Sequence, residues 1–226
     1  MKTIIKHIFG NIDEYDLQVY KLSLDLEGEP EYKALEQGWS VQYGNWYPSR
    51  MVRLDLSRYN KTPKQIKNYT FTHHDNPEDY SEFERVFEEF VVARDFTPQY
   101  KIATDLDRTS WLSVHKEDRL VAFTKFINYD GGLESQFTAW DYSEPKLSIG
   151  VKIVDYEVEV ARSKGLDYLY IGPGYGKSCF YKSKFQGFEW WTGTEWCGDI
   201  QAYQEICMRD STINTFDDLS KLIWDH

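Results

Sequence analysis

The run Leu166 to Trp191, LDYLYIGPGYGKSCFYKSKFQGFEWW, constrains the fold of this chain more than any other stretch. Its first residues read as a buried strand. Glycines at alternate positions, Gly172, Gly174 and Gly176, then end the strand in a turn. A short helix carrying Phe180-Tyr181-Lys182 is expected next, and a second apolar strand from about Gly187-Phe188. Glycine has no Cβ, so a strand that opens into glycines lets backbone N–H groups come close to a ligand. A tyrosine and lysines just past that opening supply a proton and positive charge. The expectation is a site for an anionic or acyl-bearing ligand.

The rest of the chain sets the frame for that site. Its 226 residues suffice for one substantial core, or for one domain with an N-terminal appendage. An aromatic share of 17% excludes a disordered tail protein. A net charge of −11 argues against broad electrostatic attraction to nucleic acid or to an anionic membrane, although a local basic patch can override the global sign; DNA is not an expected partner. Cys179, Cys197 and Cys207 form no C-x-x-C pair and no zinc spacing, which points to a reducing compartment without a disulfide framework. In the opening MKTIIKHIFG, Lys6 and His7 break the apolar run and acids follow at once, so a signal peptide is not expected. With no transmembrane run either, the expected location is cytoplasmic.

Hydrophobic periodicity gives the element order. Ile4–Ile8 and Tyr15–Leu26 are β-prone, and Glu31–Gln37 is a short helix stopped by Gly38. Gly38–Trp46 alternates as a strand with a turn at Gly44-Asn45, and Arg50–Leu56 alternates again. Asn76 and Pro77 are suited to start a helix, in which Tyr80, Phe83, Phe87, Phe90 and Val91 repeat at helical spacing until about Arg94. Thr97–Arg108 is a loop or short helix. Strands are expected at Trp111–His115, Leu120–Tyr129 and Leu133–Trp140, the last two joined through Asp130-Gly131-Gly132. A helix follows from Ile149 to Lys164, stopped by Gly165. Beyond the opening stretch come strands near Phe188–Trp191 and Ile200–Met208, then a helix over Phe216–Trp224. Residues 1–70 thus read as a β-rich extension, and residues 71–226 as the main domain.

One segment departs from the acidic balance. Arg50, Arg53, Arg58, Lys61, Lys64 and Lys67 stand against Asp55, so Arg50–Lys67 carries 6 − 1 = +5. It is either a solvated basic face or a phosphate-contacting patch with Tyr59 and Tyr69 placed for stacking. His73-His74 has no cysteine or carboxylate at metal spacing beside it and is read as a loop pair, with no metal site expected.

The order helix, antiparallel strands, long helix, strand, glycine turn, short helix, strand resembles the GCN5-related acyltransferase (GNAT) fold. That resemblance implies a mixed α/β fold with a central, mostly antiparallel, splayed sheet flanked by helices. Phe180-Tyr181-Lys182-Ser183-Lys184-Phe185-Gln186-Gly187-Phe188-Glu189 is similar to the late motif of that fold, whose tyrosine protonates the departing group; Tyr181 holds that place. A closer resemblance is to bacterial aminoacyl-tRNA–protein transferases, the arginyl and leucyl enzymes of the N-degron pathway. Four segments carry it in order: Gly38 to Pro48, Ala139 to Gly150, Glu159 to Gly172, and Lys177 to Glu189. There are two departures. The family's N-terminal cysteine cluster is absent after Tyr47-Pro48, and the glycine turn is shorter.

The resemblance implies transfer of an amino acid from aminoacyl-tRNA to an amine, such as a protein or peptide N-terminus, with no further cofactor. The alternatives are an acyl-CoA-dependent N-acyltransferase acting on a small amine or nucleotide, and a non-catalytic tRNA- or protein-binding domain. Acetyl-CoA enzymes hold the pyrophosphate on a glycine-rich loop ahead of the long helix. Here Lys146-Leu147-Ser148-Ile149-Gly150 puts Ile149 where the first glycine belongs, which favours aminoacyl-tRNA. Tyr181 is the candidate acid, or else a tyrosine packed under the last strand. Asp141 takes or orients the amine's proton, or caps a turn. Gln136 and Glu134 are second choices. Gly172, Gly174, Gly176, Lys177, Ser178 and Lys182 are expected around the donor, with Ser178 and Lys182 on one helix face. Trp140 and Tyr170 line an acyl pocket or belong to the core. Arg50, Arg53, Arg58, Lys61, Lys64 and Lys67 are the expected tRNA contacts.

Overall fold

The computed structural model describes residues 1–12, 15–42, 45–95, 102, 106–143, 147–213 and 218, with the backbone alone at 5–12, 15–21, 42 and 106. In chain order the elements are β1 (Lys2–Ile12), β2 (Tyr15–Asp25), α1 (Tyr32–Glu36), β3 (Trp39–Gln42), β4 (Asn45–Pro48), β5 (Met51–Asp55) and β6 (Tyr69–His74). Then come α2 (Ser81–Ala93), β7 (Thr109–Lys116), β8 (Arg119–Tyr129), β9 (Gly132–Trp140) and α3 (Ile149–Ser163). The last are β10 (Tyr168–Pro173), a 3₁₀ helix (Lys177–Lys184), β11 (Phe188–Trp191), β12 (Trp196–Cys197) and α4 (Ile200–Asp210). These form two compact units interleaved in sequence. One comprises Met1–Val52, Pro173–Lys184 and Phe188–His226; the other comprises Arg53–Gly172 and Phe185–Gly187.

The first unit contains a four-stranded sheet in the order β1-β2-β4-β3. Strands β1 and β2 pair antiparallel from Lys2↔Asp25 to Ile12↔Tyr15, and β3 pairs with β4 from Trp39↔Pro48 to Gln42↔Asn45. The turn expected at Gly44-Asn45 falls at Gly44 outside the described residues. The strand expected over Ile200–Met208 is instead the helix α4. Asp199 accepts the Ala202 N–H at 3.0 Å as its N-cap, and Tyr203 and Cys207, four apart, are its buried stripe. An apolar run with this spacing satisfies either period, and the cap decides for the helix. The helix expected over Phe216–Trp224 lies outside the described residues, apart from Asp218.

The second unit is a mixed α/β layer whose strands run in the order β5-β10-β9-β8-β7-β6. The pairs β6–β7, β7–β8 and β8–β9 are antiparallel, while β10 joins β9 parallel. Helix α2 covers one face. Phe83 packs against Trp111 and Phe123 at ring separations of 5.2 and 5.1 Å, and Phe87 against Phe137. Each fully buried side chain of this size contributes roughly 1.5–3 kcal/mol. Side chains alternate along a strand, so Thr124, next to Phe123, faces the other way and meets α3. On that face Tyr156 stacks on Phe71 with centroids 3.6 Å apart. Strand β6 went unread in the sequence because only Tyr69 and Phe71 on one side of it are apolar. Helix α2 starts later than Asn76 and Pro77 suggested. Asn76 is occupied elsewhere, its Oδ1 accepting from Thr109 Oγ1 at 2.5 Å and from the Trp111 indole N–H at 3.0 Å.

Candidate functional site

In the first unit the glycine turn is closed by its own chain. The Gly174 N–H donates to the Arg50 carbonyl at 2.8 Å, the Gly176 N–H to Asp210 Oδ2 at 3.2 Å, and the Lys177 N–H to Ser211 Oγ at 2.8 Å. A Cβ on Gly174 would stand 2.3 Å from the Tyr203 hydroxyl, so the space its hydrogen leaves is filled by Tyr203. This corrects the expectation of amides open to a ligand. Gly172 and Gly176 have φ of +72° and +70°, the left-handed values that the turn requires.

Arg50 is held at this turn and does not extend into solvent. Its Nη1 meets Asp210 Oδ2 at 2.5 Å and the Gly174 carbonyl at 3.3 Å, and its guanidinium lies 4.9 Å from the centroid of the Tyr175 ring. Burial works against the charge on Arg50, but the Asp210 carboxylate outweighs it and raises the guanidinium pKa. Beyond the turn the helix is 3₁₀, so residues three apart share a side. Cys179 and Lys182 accordingly both turn to the Pro173 carbonyl, Lys182 Nζ at 2.7 Å. Lys182 is only 6% exposed, whereas Lys177 and Ser178 are exposed. The expected shared face of Ser178 and Lys182 assumed α-helical spacing and is absent. Tyr181 is 44% exposed and therefore does not pack under a strand. Tyr203, fully buried, donates to the Cys179 carbonyl at 3.3 Å, and burial pushes its phenol pKa far up.

In the second unit Gln136 occupies a special position. Strands β8 and β9 pair Lys125↔Phe137 and then Phe126↔Ser135, so Gln136 is the extra residue of a β-bulge. Among the described residues, the parallel pairing of β10 with β9 is registered at Tyr170↔Glu134 and not beyond it. A bulge leaves its extra residue's N–H without a ladder partner and re-aims the neighbouring side chains. Glu134 is 4% exposed and accepts from Tyr129 Oη at 2.7 Å, and Tyr170 is 3% exposed. Both belong to the packed interior.

Trp140 ends β9 with its indole against the head of α3. A Cβ on Gly150 would come within 2.6 Å of the Trp140 ring, and Ile149 is 6% exposed. Phe90 meets Trp140 edge-on at 4.7 Å, and Tyr142 packs beside it at 5.7 Å. Asp141 closes a turn, accepting from the Ser143 N–H at 3.2 Å and Oγ at 2.6 Å; its other oxygen stands 3.2 Å from Arg119 Nη2. A residue that went unnoticed in the sequence is Glu157 on α3. It is 1% exposed and accepts from Thr124 Oγ1 at 2.5 Å and Thr138 Oγ1 at 3.1 Å. Every third or fourth residue of α3 but Glu157 is apolar along that stripe, and this mismatch is the signal that was available.

The basic segment divides by burial. Arg53 is 7% exposed with its guanidinium 3.7 Å from the Tyr168 ring centroid, and Arg58 pairs with Asp55 at 2.7 Å. Lys61, Lys64 and Lys67 are exposed on a loop that α3 ties down. Tyr156 Oη donates to the Lys64 carbonyl at 3.2 Å, and Arg162 to the carbonyls of Leu56 and Tyr59. Tyr59 is 1% exposed and donates to Asp155, so it is not placed for stacking. His73 and His74 sit on strand β6, not on a loop, and as strand neighbours they point to opposite faces.

A profile of the family described as arginine-tRNA-protein transferase, C terminus, matches residues 64–192. The chain belongs to that family. The matched stretch of this arginine-tRNA-protein transferase C-terminal region holds β9 with its bulge, α3, the glycine turn and Tyr181. Among curated proteins, the aspartate/glutamate leucyltransferase of Ruegeria sp. (strain TM1040) is 34% identical over 96 residues, covering 41% of this chain and 31% of that protein. The enzyme of the same name from Acinetobacter baylyi is 31% identical over 88 residues, covering 38% and 32%. The match thus spans about a third of the length of these relatives (31% and 32%). Among solved structures, L-PGS from Bacillus licheniformis overlaps 61% of this chain and 52% of its own at a TM-score of 0.45 and 15% identity. A GCN5-related N-acetyltransferase from Kribbella flavida overlaps 63% and 53% at a TM-score of 0.41 and 15% identity.

Proposed function

We propose that this chain transfers an amino acid from an aminoacyl-tRNA to the amino group of a protein or peptide N-terminus. The observation that carries the choice of donor is Trp140 packed on Gly150 at the head of α3. A CoA pyrophosphate needs bare backbone N–H groups at such a helix start. With the indole on Gly150 and Ile149 buried, that approach is filled, which supports the tRNA donor over acyl-CoA. The exposed Lys61, Lys64 and Lys67, fixed by α3, are the proposed RNA contacts.

The reaction exchanges an ester for an amide. The neutral amine nitrogen attacks the aminoacyl carbonyl and the ester C–O bond breaks; the nitrogen gives up one proton to solvent and the released ribose oxygen takes one, so the protons balance. Tyr181, exposed on the 3₁₀ helix, is the proposed proton donor. Gln136 is the extra residue of the β9 bulge, and a bulged backbone N–H has the character needed to stabilise a developing oxyanion. Asp141 is assigned to shaping the end of β9 and not to taking a proton, because Ser143 and Arg119 already engage it. No cofactor enters this scheme.

Purified protein is to be incubated with radiolabelled aminoacyl-tRNA and peptides of differing N-terminal residue, with acetyl-CoA as the parallel donor. Label is expected on a peptide from the tRNA donor. Labelling from acetyl-CoA alone overturns the reading. Tyr181→Phe is expected to lower the rate about 10²- to 10⁴-fold with tRNA binding intact.

A further inference from the structure

The contact between the glycine turn and the end of α4 has the chemistry of an occupied anion site. Arg50 contributes a guanidinium, and Gly176 and Lys177 contribute consecutive backbone N–H groups. Those amides and Arg50 converge on Asp210 and Ser211, at the C-terminal end of α4. Arg50 engages both carboxylate oxygens, Oδ2 at 2.5 Å and Oδ1 at 3.4 Å, and Gly176 N adds a bond to Oδ2 at 3.2 Å. The side chain of Lys177 stands exposed beside them.

Asp210 is an unfavourable residue at this position. The C-terminal end of a helix carries partial negative charge from its aligned peptide dipoles, so a carboxylate there is repelled by its own helix. Arg50 and the Gly176 N–H, which both donate to the carboxylate, offset that repulsion. A guanidinium fork with consecutive amides around a left-handed glycine is also what binds phosphate oxygens, and a phosphate offers more acceptors than a carboxylate does. The Asp210 side chain is 23% exposed and that of Arg50 16%, so solvent reaches the pair.

We propose that Arg50 with the amides of Gly176 and Lys177 forms a binding site for an RNA phosphate, in which the Asp210 carboxylate is a displaceable resident anion. Like charge forbids both at once, so a phosphate binds only as Asp210 leaves, and the end of α4 moves with it. This rests on the reading of tRNA as donor, whose acceptor end would supply the phosphate. Asp210 lowers the apparent affinity by holding the site in its closed form.

The test is direct binding by calorimetry of two probes, inorganic phosphate and a 5′-phosphorylated CCA trinucleotide, to the whole chain. Asp210→Asn is expected to bind the trinucleotide about tenfold more tightly than the natural protein, and Arg50→Gln to lose that binding in either background. Unchanged affinity in Asp210→Asn for both probes overturns the site, while the peptide-labelling assay still decides the transfer reaction on its own. Tighter binding of inorganic phosphate without the trinucleotide upholds the anion site and removes RNA as its ligand. Asp210→Ser carries the same expectation should Asp210→Asn fail to fold. If both variants unfold, the carboxylate is structural and the proposal falls.

Discussion

A Cβ added at Gly174 would approach the Tyr203 hydroxyl to 2.3 Å and a Val52 methyl to 2.9 Å. Tyr203 is fully buried and bonded to the Cys179 carbonyl, so it cannot swing aside. Gly174→Ala is expected to cost about 1–3 kcal/mol in a urea titration, as overpacking does. An unchanged midpoint would mean that Tyr203 has room to move. His115 offers a second single-residue reading. Burial and the nearby His74 push its pKa below the ordinary histidine value, against the pull of Glu82 and Asp118. The unfolded chain therefore takes up a proton that the folded chain resists. Stability from this group is full above about pH 6.5 and is lost as pH falls through the folded value. His115→Gln should flatten the loss of thermal stability between about pH 7 and 5.5, leaving the carboxylate region below that unchanged. An equal slope in both proteins would remove His115 from the acid response.

Elements were legible where one period dominated. The pair β8 and β9 joined at Asp130-Gly131 falls within a residue or two of expectation, and helix α2, with Phe83, Phe87 and Phe90 at helical spacing, ends where expected but starts only at Ser81. Helix α4 was misread because Ile200–Met208 is apolar enough for a strand, and its capping aspartate lies one residue before that run. Helix α3 matched in extent, yet what fixes it to the sheet was not visible. Glu157 reaches two threonines, Thr124 and Thr138, on neighbouring strands, a meeting that no local pattern announces. Glu157→Ala is expected to destabilise the fold by about 1–3 kcal/mol, because it leaves the hydroxyls of buried Thr124 and of Thr138 without this partner. Glu157→Gln, which keeps an acceptor in place, should cost less than half of that by the same denaturant titration. Equal losses would show that the carboxylate's charge, and not its acceptor oxygens, holds α3.

At the scale of the whole molecule, a chain of net charge −11 that is to bind RNA must do so through a local surface. The cations of Arg50–Lys67 were visible in the sequence as one cluster, but burial separates them. Arg50 and Arg53 are held within their own units by Asp210 and Tyr168, and Lys61, Lys64 and Lys67 remain exposed. Reversing these lysines to glutamate should weaken tRNA binding and reduce the salt slope by about 0.7–0.9 for each phosphate that is no longer neutralised. A slope equal to that of the natural protein would place the RNA-binding surface on other residues.

The sequence by itself determined the strand–glycine–helix–strand order, the amphipathic faces of α2 and α3, and family membership, because periodicity and short motifs are properties of neighbours along the chain. Tertiary structure decided which groups remain available for chemistry. The glycine turn looked open in sequence, yet its amides are closed by Asp210 and Ser211, and Arg50 meets Asp210 across 160 positions. Whether a donor is free depends on what the fold brings to it, and pairings at that separation leave no local trace. Tyr181 stayed exposed through the same folding, and Gln136 became a bulge only once β8 set its register.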